Sequence, residues 1–263
     1  MITIIGITLK GIFRDRIFQG IMVTALMFLL IPSIASLSMR QVTELSITLS
    51  LSLISFILLL LSVFLGGTTL WKDIERRYTF SVLSLPISRS AYLMGRFLGV
   101  ALFLLLAAVF LGAVSSAMIK LVTGMYPPAR PVIWSTIFLS VVLDACKYIL
   151  LVAVAMLFST FSTSFFLPIF GTIAMFLAGS TTQQVYDYLH SPSAQEIGRS
   201  VVWAANLVYY LLPNFSAFDL KVNAIYALPL SSWGILLTLG YWLIYVTVLL
   251  GVSALILGRR EMN

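Results

Sequence analysis

Charge is scarce in this chain: of 263 residues, 16 are lysine or arginine and 9 are aspartate or glutamate, 10% against the roughly 25% of soluble domains. With a hydrophobic share of 60% and a mean hydropathy of +1.07, that scarcity excludes an ordinary soluble domain and indicates an integral membrane protein. Cysteine occurs once, at Cys146, so disulfides within the chain are excluded. Histidine also occurs once, and His190 sits in a polar stretch beside Asp187 and Tyr188. One histidine cannot build a zinc site, and one outside the apolar runs cannot face a serine inside the membrane, so no catalytic or metal-binding residue is assigned. No G-x-x-x-x-G-K-[ST] loop is present, which leaves no cofactor-binding residue and no means of cradling ATP phosphates. Any ATP dependence must come from another subunit.

What the chain does have is long apolar runs. Charge-free stretches from Ile17 to Met39, Leu45 to Trp71 and Phe97 to Ile119 each exceed the ~20 residues that carry a helix across a bilayer. After the Pro127-Pro128-Ala129-Arg130-Pro131 turn, a further run is too long for one helix, and the polar cluster Ser159 to Ser164 divides it. A last run lies between Ser232 and Leu257. The expectation is one all-α polytopic membrane domain over residues 1–263, with six transmembrane helices at about 17–39, 45–71, 97–119, 132–158, 165–182 and 232–257.

Lysine and arginine set the expected orientation. With a cytoplasmic N-terminus the inner segments hold Lys10, Arg14, Arg16, Lys72, Arg76, Arg77, Arg89, Arg96, Arg259 and Arg260, while the outer ones hold Arg40, Lys120, Arg130, Arg199 and Lys221. Both termini are therefore expected in the cytoplasm, and the net charge of +7 reads as a topology signal rather than as nucleic-acid binding. No cleavable signal peptide is evident, so the first span is expected to serve as the insertion signal.

Ile2, Ile5, Leu9, Ile12 and Phe13 recur at helical spacing and predict an amphipathic interfacial helix before the first span, or alternatively an extension of that span. Ser193-Ala194-Gln195-Glu196 matches a capping box and predicts an outer, re-entrant or interfacial helix running to Leu212, with Ile197, Val201, Val208 and Leu212 on one face. Within the fourth span, Asp144 and Lys147 lie at i and i+3 and can pair, either as plain neutralisation or as a polar element facing a cavity. Gly95 and Gly99 form G-x-x-x-G, and Pro168, Gly171 and Gly179 permit bending or tight packing. Trp71, Trp134, Trp203 and Trp233 fall where interfacial anchors are expected.

Seven of the 25 charged residues fall between Trp71 and Arg96, a stretch that lipid cannot hold. Asp73 and Glu75 precede Arg76 and Arg77; Thr79 to Leu85 is amphipathic and stops at Pro86; Ser88 is placed to cap the next helix. The residues alone allow two readings, a short cytoplasmic helix with a capped restart or a solvated hairpin that only fixes topology.

The string Asp73-Ile74-Glu75-Arg76-Arg77, then Thr79, then Leu83-Ser84-Leu85-Pro86-Ile87-Ser88-Arg89, then Tyr92 to Gly99 resembles the inner loop of type-2 ABC transporter permeases. It is most similar to the branch associated with multi-copper-enzyme maturation. Arg96 stands where that family usually has lysine, Ala91 where an acidic residue is common, and Tyr78 where glycine is frequent. The resemblance implies a coupling helix between spans 2 and 3, inserted into a groove of a cytoplasmic ATP-binding-cassette ATPase, with Asp73, Glu75, Arg76, Thr79, Leu83, Pro86, Ser88 and Arg89 as contact or positioning residues. It also implies re-entrant outer helices between spans 5 and 6, ATP and Mg held by the partner subunit, a second copy of the chain, accessory outer-face or periplasmic proteins, and a bacterial cytoplasmic membrane. The expected function is the membrane subunit of an ATP-driven exporter. A secondary carrier or channel without an ATPase is the rival, and Asp144 with Lys147 is its only ionisable midplane candidate.

Overall fold

A computed structural model of the chain describes residues 2–28, 42–75, 88–128, 130–191 and 198–259. The described residues form α1 (Ile2–Arg14), α2 (Arg16–Phe28), α3 (Val42–Glu75), α4 (Arg89–Met125), α5 (Trp134–Phe161), α6 (Phe166–Leu189), α7 (Arg199–Leu211), a 3₁₀ turn (Phe215–Phe218), α8 (Lys221–Tyr226) and α9 (Ser232–Arg259), with no strand among them. Helices α3, α4, α5, α6 and α9 are each long and apolar enough to cross a membrane, which makes the chain a multi-pass membrane protein. Counting the bent pair of α7 with the 3₁₀ turn and α8 as one span gives a sixth; the bend at its break is 49°. For the first expected span, α2 covers Arg16–Phe28 and residues 29–41 lie outside the described set.

Helices α3 and α4 run past the expected span limits at both ends, and α5, α6 and α9 at their C-terminal ends. The 34 residues of α3 extend about 51 Å at 1.5 Å per residue, beyond the ~30 Å hydrocarbon thickness, and charged Lys72, Asp73 and Glu75 ride on its last turn. Helix α5 is the hub: it packs against α3, α4, α6 and α9 and is almost wholly buried, whereas α9 is almost wholly exposed at its apolar surface. Its alanines and valines from Ala145 to Ala155 allow that close approach on every side. The predicted break between α5 and α6 falls at Ser162, whose hydroxyl donates to the Ser164 carbonyl (2.6 Å) and accepts from the Ser164 amide (3.1 Å), a local turn that competes with helix.

Helix α1 meets the bundle through Ile4, Thr8 and Ile12; of its apolar stripe Ile12 is buried and Leu9 packs beside the core, while Ile2 and Phe13 are exposed. The reason lies in α4. Cβ atoms on Gly95 and Gly99 would stand 2.8 Å from Ile4 and 2.7 Å from Thr8, so the G-x-x-x-G forms a shallow groove that admits only this face of α1. Gly99→Leu is expected to expel α1 from the groove and destabilise the protein by about 1–3 kcal/mol, the usual cost of overpacking, seen as a lower melting temperature in detergent with α4 still inserted.

The outer helix is also shorter than expected. Gly198, in extended backbone at φ −58° and ψ 140°, is the N-cap of α7, so the helix does not run back to the Ser193 capping box; residues 192–197 lie outside the described set. No residue of α7 is buried, and Val201 and Val208 of the expected face are exposed. Both α7 and the segment after it are tied to α6: Tyr209 OH of α7 and Asn214 Nδ2 donate to Gln183 Oε1 (3.1 and 2.7 Å), and the Asn214 backbone amide donates to Tyr241 OH of α9 (2.7 Å). Gly179 makes room for this contact, since a Cβ there would lie 2.3 Å from the Pro213 carbonyl oxygen.

Candidate functional site

At the end of the bundle where α3 stops and α4 begins, charged side chains of α3, α4 and the α1–α2 junction meet. Asp73, on the last turn of α3, is buried, accepts a hydrogen bond from Tyr92 OH and forms an ion pair with Arg96, both of α4. The spacing explains the convergence, because Tyr92 and Arg96 at i and i+4 share one face of α4 and Arg96 Nε reaches back to Tyr92 OH (3.2 Å). Arg96 Nη1 then donates to Thr8 Oγ1 of α1 (3.2 Å), and Thr8 donates to the Ile4 carbonyl (2.8 Å). A second pair, Lys72 Nζ to Asp15 Oδ2 at 3.0 Å, ties the end of α3 to the junction of α1 and α2.

Arg89 closes the ring. Its Nη1 donates to the Leu257 and Gly258 carbonyls (3.0 and 3.2 Å), which, among the described residues, belong to the last carbonyls of α9. A guanidinium at a helix C-terminus also meets the negative end of the dipole. Ser88 caps α4, its hydroxyl accepting from the Ala91 amide at 3.2 Å. The two flanks of residues 76–87 are thus anchored to α1, α4 and α9.

Of the residues singled out for ATPase coupling, Asp73 faces the bundle interior, Glu75 is exposed at the tip of α3, Ser88 is exposed at the cap and Arg89 engages α9. Arg76, Thr79, Leu83 and Pro86 lie outside the described residues. Sequence reasoning missed the partnership of Thr8, Tyr92 and Arg96 with Asp73. Its only visible signal was an acid and an arginine set just outside the ends of two apolar runs.

The second polar centre is in α5. Asp144 and Lys147 pair within the helix, with side chains 3% and 6% exposed. Lys147 Nζ lies 4.7 Å from the centroid of the Tyr148 ring and 3.5 Å from Ser55 Oγ of α3, and Ser55 and Tyr148 share a hydrogen bond of 2.7 Å. Next to the pair, the Cys146 carbonyl accepts from Trp242 Nε1 of α9 (2.7 Å). Among the described residues, the buried hydroxyls of Ser46 and Ser50 (α3), Ser115 (α4) and Ser140 (α5) have no hydrogen-bond partner. On α3 and α5 these serines precede the level of Ser55 and Lys147, towards the helix N-termini.

No model of a known protein family matches this chain, and no curated protein matches it.

Proposed function

We propose that the chain is the transmembrane subunit of an ATP-driven ABC exporter, driven through its 76–87 stretch by a separate cytoplasmic ATPase. The observation that carries this reading is the anchoring of both flanks of that stretch. Asp73 to Tyr92 and Arg96, Arg96 to Thr8 and Arg89 to the end of α9 form one connected set, so a displacement applied to the loop is passed to α1, α3, α4 and α9 together. Exposed Glu75 and Ser88 leave the loop's two ends facing water, where a soluble partner has access. In this reading ATP binding closes the partner, the loop acts as a lever, and the bundle tilts between two arrangements that open a path to opposite sides. Two copies of the chain, six spans in each and both termini on the ATPase side of a bacterial cytoplasmic membrane, complete the proposed assembly.

Co-purification from native membranes tests it. A cytoplasmic ATPase is expected to accompany the chain, and Glu75→Ala or Leu83→Ala is expected to weaken its retention tenfold or more, about 1.4 kcal/mol of binding, with the chain still inserted. Absence of any ATPase, together with movement of solute by the purified chain down an ion gradient, overturns the reading. The rival, an ATP-independent carrier or channel, draws on the buried Asp144–Lys147 pair and on the unpartnered serines above it, which would offer partners to a polar solute or ion.

A further inference from the structure

The geometry points to a phospholipid site beneath α1, selective for a zwitterionic headgroup that carries a phosphate and an ammonium. A cavity of about 370 Å³ opens between α1 and the last turns of α3, within the roughly 300–1,000 Å³ typical of small-molecule sites. Ile7, Ile12 and Leu65 line its apolar part, and its polar part holds two cations and two carboxylates, Lys72 with Asp15 and Arg96 with Asp73. Charges so matched sum to zero, which gives no advantage to a purely anionic ligand. They do suit a ligand that brings one charge of each sign a few bonds apart, with phosphate oxygens toward Lys72 and the ammonium toward Asp15.

The two ion pairs differ in a way that locates the headgroup. The Arg96 and Asp73 side chains are 15% and 11% exposed and closed in by Tyr92 and Thr8, whereas those of Lys72 and Asp15 are 33% and 25% exposed and stand at the open side. The outer pair is therefore the one a headgroup reaches. The lining favours a lipid over a soluble solute: Lys72 stands on the last turns of a helix longer than the hydrocarbon is thick, and the wall continues along α3 through Thr69 and Thr68 to Leu65, with Ile7 and Ile12 contributed by α1. The exposed Ile7 side chain places the cavity rim against acyl chains, as in a helix lying in the interface plane. A lipid held there pins α1 to α3 beside the Asp73–Arg96 anchor. This inference rests on the multi-pass membrane placement and not on the ATPase reading.

Gly11 provides the test. It lines the cavity, yet a Cβ built on it meets nothing within 4 Å, so Gly11→Leu fills the space without pressing on a neighbour. Native mass spectrometry of the full chain in detergent, titrated with dioleoyl phosphatidylethanolamine, is expected to show one tightly held lipid per chain. Gly11→Leu and Lys72→Ala are each expected to weaken it at least tenfold, and dioleoyl phosphatidylglycerol to bind at least tenfold less well than the zwitterionic lipid. Equal retention by a folded Gly11→Leu chain, or phosphatidylglycerol held as tightly, overturns the proposal. So does displacement of the lipid by soluble glycerophosphoethanolamine at equal concentration, which would mark a site for a free solute. Should Gly11→Leu fail to fold, Thr69→Leu blocks the same cavity from the α3 side and is read by the same outcomes.

Discussion

Lys147→Met is expected to destabilise the bundle by about 3–5 kcal/mol, because it leaves Asp144 buried without its counter-charge at the centre of the best-packed helix. The methionine keeps most of the side-chain volume, so the loss reports charge rather than a cavity. Cys146 makes the effect measurable: it is the chain's single cysteine, it is buried, and its backbone carbonyl is held by Trp242. Maleimide labelling of Cys146 in detergent should accelerate about a hundredfold or more, since each 1.36 kcal/mol is a factor of ten in the population that opens. Unchanged labelling would mean that the pair is not a structural element. Combining Asp144→Lys with Lys147→Asp restores opposite charges at i and i+3 and is expected to recover the larger part of the stability. It also turns a carboxylate toward the electron-rich face of Tyr148, so recovery stays incomplete. If transport is lost while labelling is normal, the pair has a role tied to its positions.

Asp73→Ala is expected to have an effect of similar size by a different route. It strands the Arg96 guanidinium and the Tyr92 hydroxyl, both inward-facing, at about 3–5 kcal/mol for a broken buried pair. The same change unhooks the end of α3 from α4 and, through Arg96 and Thr8, from α1. Two measurements separate stability from coupling. The triple change Asp73→Leu, Tyr92→Phe, Arg96→Met removes every polar partner at once, and buried ion pairs replaced by apolar residues of similar volume are commonly neutral or stabilising. Its melting temperature in detergent should therefore return close to that of the native chain. ATPase stimulation by the co-purified complex should stay lost, because the directional bonds that join the loop to the bundle are gone. Full stimulation in the triple variant would show that the network serves stability alone.

Much of the architecture was readable because membrane insertion leaves a crude imprint. Runs such as Leu45 to Trp71 and Phe97 to Ile119 are long enough to cross a bilayer, and α3 and α4 contain them with extra turns that carry charged residues at their ends. The Asp144–Lys147 pair was legible for a similar reason, since i,i+3 neighbours on a helix meet whatever the tertiary fold. Ser88 was legible as a cap because capping is settled within four residues.

Other features were invisible because they join distant parts of the chain. The periodicity of α1 gave no sign that Ile4 and Thr8 would be seated on α4 by two glycines 91 residues further on. The outer helix described starts at Arg199 with Gly198 as its N-cap, and the capping box at Ser193 lies outside the described residues. Sequence by itself determined that this chain lives in a membrane as a helical bundle, where its charges cluster and that it has no phosphate loop of its own, because hydrophobicity and motif spacing are properties of continuous segments. Only the tertiary structure decided that Asp73 turns inward to Tyr92 and Arg96, that Arg89 caps a helix 168 residues away, and that a charge-balanced cavity opens under α1, because each depends on side chains brought together by packing rather than by spacing.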